Sequence, residues 1–161
     1  AQILVTGDDI AHPDRKLNFI NTMRRLLELG ALPIINENDS VSTNEIEIGD
    51  NDTLGAIVAT AVDADLLIIL SDINGLYTGD PKKDENATLL HTVDEITPDI
   101  ENMVGGAGTS LGTGGMITKI KAAKTVMEKG MDMVIANGKD PDILYDIVEG
   151  GGVCTRFKGK R

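Results

Sequence analysis

The sequence predicts an α/β fold in which helices pack on a parallel sheet, and three observations support this class. Apolar runs at residues 3–5, 32–35, 66–70 and 133–136 are short and bounded by polar residues or glycine, as expected for strands buried on both faces. Stretches with helical spacing or composition alternate with them, at residues 14–29, about 52–64, 118–129 and 141–148. Aromatic residues make up only 2% of the chain, so we expect a core of aliphatic side chains. Alternating strands and helices indicate parallel strands in layers.

The first predicted helix has the clearest pattern. Its polar residues recur every three or four positions, as on the solvent face of an amphipathic helix: Asp14, Asn18, Asn21, Arg25 and Glu28. Pro13 suits the first turn of this helix and Gly30 its C-terminal end, because proline lacks the N–H that a helix start leaves unused and glycine favours helix ends. Two further segments lie outside the alternation: residues 42–48 are expected to form a short hairpin arm and residues 80–91 a surface loop.

Length and charge limit the function classes. A chain of 161 residues with 41% hydrophobic residues has enough apolar side chains for one globular unit. Its net charge of −11 disfavours general nucleic-acid binding, since like charges repel at long range. The single cysteine, Cys154, has no partner for an internal disulfide, and no 18-residue apolar span is present. We therefore expect a cytoplasmic protein with neither a membrane nor a nucleic-acid partner.

Polar residues follow each predicted strand. They occupy residues 6–9, 36–40, 71–72 and 137–139. Ligands of open parallel sheets bind beyond the carboxyl ends of the strands, so we expect all four clusters at one edge of the sheet. Ordinary turn and cap residues are the alternative, because Asn, Asp, Ser and Gly serve those roles in any protein.

A glycine-rich segment at residues 112–119 leads into the third predicted helix. Glycines allow close approach of a ligand, and a helix start offers N–H groups to a phosphate. Lys119 is expected in the first helical turn, where a cation is unfavourable unless an anion lies between it and the helix dipole. The segment matches neither standard phosphate motif, and a surface glycine loop is the alternative interpretation.

Asp50, Asn51 and Asp52 precede the second predicted helix. One such residue is enough for an N-cap, so the others are available to orient a substrate amine, a lysine or hydrated magnesium. His12, His91 and Cys154 lack neighbouring partners in the sequence, which argues against zinc or nucleophilic chemistry.

Residues 71–81, SDINGLYTGDP, are similar to the nucleotide-side signature of the amino acid kinase superfamily. Three further motifs resemble those of the glutamate 5-kinase family: NENDSV at residues 36–41, GDNDTL at 49–54 and GTGGMITK at 112–119. The likeness runs from Gln2 to about Phe157 and implies a three-layer α/β/α sandwich on a mainly parallel sheet, incomplete in this chain.

The resemblance also implies an activity and roles for individual residues. The activity is ATP-dependent phosphorylation of the L-glutamate γ-carboxylate with Mg²⁺, the first step of proline biosynthesis, by a homo-oligomer. Asp39 and Asn51 would hold glutamate, with Asp50 close by. Lys119 and Asp52 would be catalytic. Lys119 would lie against the transferring phosphoryl group, and Asp52 would orient the catalytic lysines. The nucleotide contacts would come from Ser71, Asp72, Thr113, Gly114, Gly115, Met116, Ile117, Thr118 and Lys119.

Two departures from the family pattern matter. The lysine-bearing strand with its glycine-rich turn, and the serine-containing substrate loop, are not found in these 161 residues, so residues 1–157 are expected to be a partial kinase domain that is inactive when isolated. Residues 158–161 are basic and are expected to be a tail or the start of a linker. Another amino acid kinase, acting on aspartate or acetylglutamate, and a non-catalytic binding module are the alternative functions.

Overall fold

The structure is a computed structural model, and it describes residues 1–41, 48–105 and 114–160. Helices and strands alternate through these residues, as the sequence predicts. In chain order they are β1 Gln2–Val5, α1 Gly7–Ala11, α2 Pro13–Glu28, β2 Ile34–Glu37, α3 Asn51–Ala61, β3 Leu66–Ser71, β4 Thr92–Val93, α4 Pro98–Gly105, α5 Gly114–Met127, β5 Asp132–Asn137, α6 Ile143–Val148 and β6 Cys154–Phe157.

The chain divides into two compact units, Ala1–Ala64 and Asp65–Arg161, here called the N-terminal and C-terminal units. In the N-terminal unit β1 and β2 pair in parallel, with Val5 opposite Glu37 at the last position. Helices α2 and α3 supply most of the core beside this pair. Its buried side chains are Val5, Phe19, Met23, Leu54 and Ala61.

The C-terminal unit contains a four-stranded sheet in the order β3-β5-β6-β4. β3 and β5 are parallel and end together at the pair Ser71 and Asn137, whereas β6 runs antiparallel to β5 and parallel to β4. β5 is an inner strand, between β3 and β6, and its residues Met133 to Ala136 are fully buried. The apolar residues at the four inner positions of β5 therefore reflect burial on both faces.

Each predicted apolar run overlaps a strand, and the mainly parallel α/β class is confirmed. Within the two units, β1 pairs with β2, and β3 pairs with β5. β2 begins two residues later than predicted, at Ile34. Pro33 has no N–H for a strand ladder, so Leu32 lies outside the strand with 75% of its surface exposed.

Short elements escaped the sequence analysis. α1, α4, β4 and β6 were not predicted, and α5 begins at Gly114 rather than at residue 118. Gly114 and Gly115 favour a loop on sequence grounds, but the structure places them in the first turn of α5. Glycine is tolerated there because few intrahelical hydrogen bonds depend on the first residues of a helix. Residues 80–91 form the expected loop. An antiparallel β-bridge pairs Leu89, in this loop, with Tyr77, which precedes the loop in the chain.

Residues 42–47 of the predicted hairpin arm lie outside the described residues.

Near the C-terminus, residues 158 and 159 form hydrogen bonds with the C-terminal unit. Lys158 N–H donates to the Val93 carbonyl at 3.0 Å, and Gly159 N–H donates to Asp132 Oδ1 at 3.0 Å. Their assignment as a tail, with 1–157 as the kinase domain, stays a prediction. Within the described ranges no helix combines the length and the apolar character needed to cross a membrane.

Candidate functional site

The turn after β2 carries the first predicted substrate residue, Asp39. Asn38 fixes this turn, since its N–H donates to the Val5 carbonyl at 2.8 Å and its Oδ1 accepts a bond from Ser40 Oγ at 2.7 Å. Asp39 lies between these two residues and is exposed. The turn therefore holds the backbone around Asp39 at the carboxyl ends of β1 and β2 while its carboxylate faces solvent.

Asp50 caps α3 with both carboxylate oxygens. Its Oδ1 accepts from Thr53 N–H at 2.7 Å, and its Oδ2 accepts from Thr53 Oγ1 at 2.7 Å. The capping interpretation of this cluster is thus correct for Asp50. Asn51, the first residue of the helix, is exposed, and Asp52 is half-buried in the first turn.

Glu37 links the two motifs of the N-terminal unit, a role that the sequence alone does not indicate. Its Oε1 accepts a bond from Ile48 N–H at 2.8 Å, and its Oε2 accepts one from Gly49 N–H at 3.2 Å. The end of β2 is therefore tied to the residues that enter α3. An acid among Asn and Asp residues gave no sequence signal that distinguished it from its neighbours.

The polar cluster after β1 forms a helix cap. Thr6 and Asp9 form a capping box at the start of α1. Hydrogen bonds from the Thr6 backbone, then from its side chain, hold the pKa of Asp9 below its usual value. Asp8 pairs with Arg15 at 2.7 Å, so the acids of this cluster have local partners.

The paired ends of β3 and β5 border a cleft in the C-terminal unit. Its volume is about 490 Å³, and it is lined by Leu70, Ser71, Asp72, Asn137, Gly138 and Lys139. The strand-end prediction thus holds within this strand pair, with Ser71 and Asp72 beside residues 137–139. Gly138 N–H donates to the Ser71 carbonyl at 2.8 Å. A Cβ at position 138 would lie 3.0 Å from Leu70 Cβ, so glycine permits this close approach.

A buried hydroxyl anchors the loop that follows Asp72. Thr155 Oγ1 on β6 accepts from Leu76 N–H at 2.8 Å and donates to the Leu90 carbonyl at 2.6 Å. Asn137 Nδ2 donates to Asn74 Oδ1 at 3.0 Å, which joins the same loop to the end of β5. Asn137 and Lys139 were noticed only as strand-end residues, and Thr155 was missed because β6 was not predicted.

The start of α5 is the second predicted nucleotide element. Its first backbone N–H groups point away from the helix body and favour an anion. Lys119 lies in the second turn rather than the first, and its Nζ donates to the Gly115 carbonyl at 3.3 Å. Thr118 Oγ1 donates to the same carbonyl at 2.8 Å. Thr113 lies outside the described residues, and Gly114 is described only as the first helical residue.

Neither a metal cluster nor an activated thiol is found in the part of the chain that the structure describes. It contains no group of three or more His, Cys, Asp or Glu residues suited to hold a metal. Burial raises the pKa of the Cys154 thiol, which disfavours the reactive thiolate.

Residues 1–137 match the amino acid kinase family. The chain belongs to the amino acid kinase family. It is similar to the glutamate 5-kinase of Clostridium perfringens, with 50% identity over all of this chain and 61% of that protein. It is also similar to the glutamate 5-kinase of Burkholderia ambifaria, with 53% identity over 98% of this chain and 42% of that protein. The chain therefore spans about two-fifths to three-fifths of these amino acid kinase relatives.

Solved structures support the amino acid kinase fold. A carbamate kinase from Giardia lamblia superposes with a TM-score of 0.64 and 17% identity, covering 88% of this chain and 49% of that one. A UMP kinase from Ureaplasma parvum gives a TM-score of 0.61 and 17% identity, covering 86% of this chain and 52% of that one. Identities this low are evidence for the fold alone.

Proposed function

We propose that the protein containing this chain is a glutamate 5-kinase. It transfers the γ-phosphoryl group of ATP to the side-chain carboxylate of L-glutamate and forms γ-glutamyl phosphate, the first step of proline biosynthesis. The observation that carries the proposal is the 50–53% identity to curated glutamate 5-kinases over 98–100% of this chain. The relatives reported above are both glutamate 5-kinases, which favours glutamate over aspartate and acetylglutamate as the acceptor.

The glutamate contacts are proposed on the N-terminal unit. Asp39 and Asn51 bind the amino acid, with Asp50 close by. Asp39 suits the ammonium group of glutamate because it is a carboxylate in a turn fixed by the bonds of Asn38. Asn51 suits the polar atoms of the same substrate because an amide both donates and accepts hydrogen bonds.

The nucleotide contacts are proposed on the C-terminal unit. Ser71 and Asp72 bind ATP at the end of β3, where the cleft with residues 137–139 offers room for part of a ligand. The phosphates bind at the start of α5, which contributes Gly114, Gly115, Met116, Ile117 and Thr118, together with the preceding Thr113. The supporting argument is the preference of helix N-termini for phosphate.

The chemistry is an in-line phosphoryl transfer. A glutamate carboxylate oxygen forms a bond to the γ-phosphorus while the bond from that phosphorus to the β,γ-bridging oxygen breaks, and ADP leaves with the electron pair. No base is required, because a carboxyl group with an ordinary pKa of about 4.3 is already ionised at pH 7. Positioning and charge neutralisation therefore supply most of the catalysis. Lys119 offsets the negative charge of the transferring group, and Asp52 orients the catalytic lysines.

Magnesium is proposed as the accompanying ion. Kinase sites hold Mg²⁺ with one or two carboxylates and with the phosphates of the substrate, so a cluster of protein ligands is not needed. Asp72 is the carboxylate in the cleft of the C-terminal unit and fits this donor set. The ion would reduce the repulsion between the triphosphate and the attacking carboxylate.

Trapping of the acyl phosphate tests the proposal. The protein at its natural length is incubated with MgATP, hydroxylamine and either glutamate, aspartate or acetylglutamate, and both hydroxamate and ADP are measured. Glutamate should give both products at equal rates, and the other two acids should give little of either. Hydroxamate formation only with aspartate or acetylglutamate would identify a different amino acid kinase, and its absence with all three would favour a binding module.

Asp39→Ala supplies a specific control for the same assay. The loss of a charged partner should raise the KM for glutamate much more than the KM for ATP. Equal increases in both constants would indicate a general folding defect.

We further propose that the protein is a cytoplasmic homo-oligomer, and sedimentation tests its oligomeric state. We also expect the isolated 161 residues to show no turnover, which the same assay tests.

A further inference from the structure

We propose that Glu37 is a positioning residue for the glutamate site, acting through the backbone that enters α3. The inference rests on the proposed function for the identity of the substrate. Its structural basis is the pair of bonds from Glu37 to Ile48 N–H and Gly49 N–H, at 2.8 and 3.2 Å. Each oxygen of the carboxylate accepts one of these bonds, so the side chain is occupied with the backbone.

Glu37 is a suitable anchor because it belongs to the sheet. It is the last residue of β2 and lies opposite Val5 in the parallel ladder. The neighbouring Asn38 is bonded to the Val5 carbonyl, which extends the ordered region past the end of the strand. A carboxylate attached to this backbone presents a fixed pair of acceptors to residues 48 and 49.

The segment held by Glu37 leads directly to Asn51. Gly49 has a φ of +84°, a conformation that side-chain-bearing residues rarely adopt. Asp50 follows in an extended conformation and caps α3 through Thr53. The bonds to Glu37, the turn at Gly49 and the cap together determine where Asn51 begins the helix.

Glu37 therefore couples the two residues proposed to bind glutamate. Asp39 is two residues after Glu37 in the chain, and Asn51 is two residues after Gly49, the second donor to its carboxylate. Without these bonds, α3 still packs beside the β1–β2 pair, but the distance between the two segments is held less tightly. Binding sites lose affinity when contacting groups are displaced, even if the groups themselves are retained.

Glu37→Gln is the variant that tests this role, because it keeps the size of the side chain. It removes the charge and leaves one carbonyl oxygen where two acceptors were present, so one backbone N–H faces an amide donor. In the protein at its natural length, the KM for glutamate should rise about tenfold or more, because a displacement of contacting groups by about 1 Å can cost up to about a hundredfold. The KM for ATP should change less than about twofold, since its proposed contacts lie elsewhere.

Glu28→Gln is the matched control. It removes the same charge from the same unit, where Glu28 forms an exposed ion pair with Arg25 at 2.9 Å. Such pairs contribute little to stability, so both KM values should remain those of the wild type. Similar changes in the two variants would show that net charge, rather than positioning, causes the effect, and would overturn the inference.

A double-mutant cycle separates positioning from a general structural role. If Glu37 acts through Asn51, then Glu37→Gln should raise the KM for glutamate much less in an Asn51→Ala background than in the wild type. Fully additive effects would contradict the inference. So would a rise of both KM values in parallel with a fall in the thermal midpoint.

Hydrogen exchange tests the contact without any substrate. Glu37→Gln should accelerate exchange at the amides of Ile48 and Gly49, whereas Glu28→Gln should not. Unchanged exchange at these amides would overturn the inference whatever the enzyme phosphorylates. If the contact is verified but glutamate is not a substrate, the proposed function fails, and the KM for the true acceptor then shows whether Glu37 positions its site.

Discussion

Lys119 illustrates how a residue role depends on local geometry. The sequence predicted a cation in the first helical turn, but α5 begins at Gly114 and Lys119 therefore lies in its second turn. There its ammonium is bonded to the Gly115 carbonyl at 3.3 Å. A flexible four-carbon stem still allows the ammonium to move toward a phosphate bound at the helix start. The dipole argument for an anion beside Lys119 is weaker than the sequence indicated, while the proposed catalytic role is unaffected.

We predict that Lys119→Ala lowers kcat at least about a hundredfold and changes the KM for glutamate only slightly. The reason is that a cation beside the transferring group stabilises the transition state more than the bound substrates. Steady-state kinetics of the protein at its natural length provide the measurement. An unchanged kcat with a raised KM for ATP would instead show that Lys119 only binds the nucleotide.

Asp9 gives a pH-dependent stability prediction. Hydrogen bonds from Thr6 lower its pKa below 3.8 in the folded protein, so ionised Asp9 favours the folded state. This contribution is complete above pH 3.8 and is lost as the pH falls through the lowered folded-state pKa. Asp9→Asn should therefore reduce the free energy of unfolding at pH 7 by up to about 1 kcal/mol, the usual size of a helix cap, and by less near pH 3. A difference that stays constant from pH 7 to pH 3 would contradict this assignment.

Individual residues were predictable where a motif requires one residue type at one position. Pro13, Gly30 and Asp50 occupy the helix start, helix end and cap that their chemistry suggests. Glu37 was not predictable, because its role depends on where the backbone of residues 48 and 49 returns to the sheet. A single sequence contains no signal for such a long-range contact.

At the scale of elements, length and burial decided which predictions succeeded. The long periodic helix α2 and the strand β5 with its apolar centre were correct to within one or two residues. β6 was missed because its four residues include Thr155 and Arg156, which interrupt the apolar pattern. Thr155 is nevertheless fully buried, since its hydroxyl is hydrogen-bonded on both sides.

Thr155→Val should test how strongly β6 holds the loop after Asp72. Valine has nearly the same shape but leaves the Leu76 N–H and the Leu90 carbonyl without their buried partner. We expect a loss of about 2–3 kcal/mol in the free energy of unfolding, because unsatisfied buried polar groups are costly. Thr155→Ser keeps the hydroxyl and should lose only about 1 kcal/mol for the missing methyl group. Urea denaturation of both variants gives the comparison, and equal losses would show that packing rather than hydrogen bonding is decisive.

At the scale of the whole molecule, the proposed ligand contacts divide between the two compact units. All proposed glutamate contacts belong to Ala1–Ala64, and all proposed nucleotide contacts belong to Asp65–Arg161. The sequence gives the order of these motifs along the chain but not their division between two units. That division was not predictable, because strand pairing depends on contacts between residues far apart in the chain.

The division leads to a prediction for ligand protection in the protein at its natural length. Glutamate alone should slow hydrogen exchange mainly at residues 36–41 and 48–54, and a non-hydrolysable ATP analogue with Mg²⁺ mainly at residues 71–79 and 114–119. The reason is that a ligand stabilises the conformations to which it binds, so the segments it contacts open less often. Exchange measured by mass spectrometry at saturating concentrations of each ligand resolves these segments. Aspartate, at the same concentration as glutamate, is the control for ionic effects and should protect neither set. Protection of residues 36–41 by the ATP analogue alone, without protection of residues 71–79, would show that the nucleotide and amino acid contacts have been assigned to the wrong units.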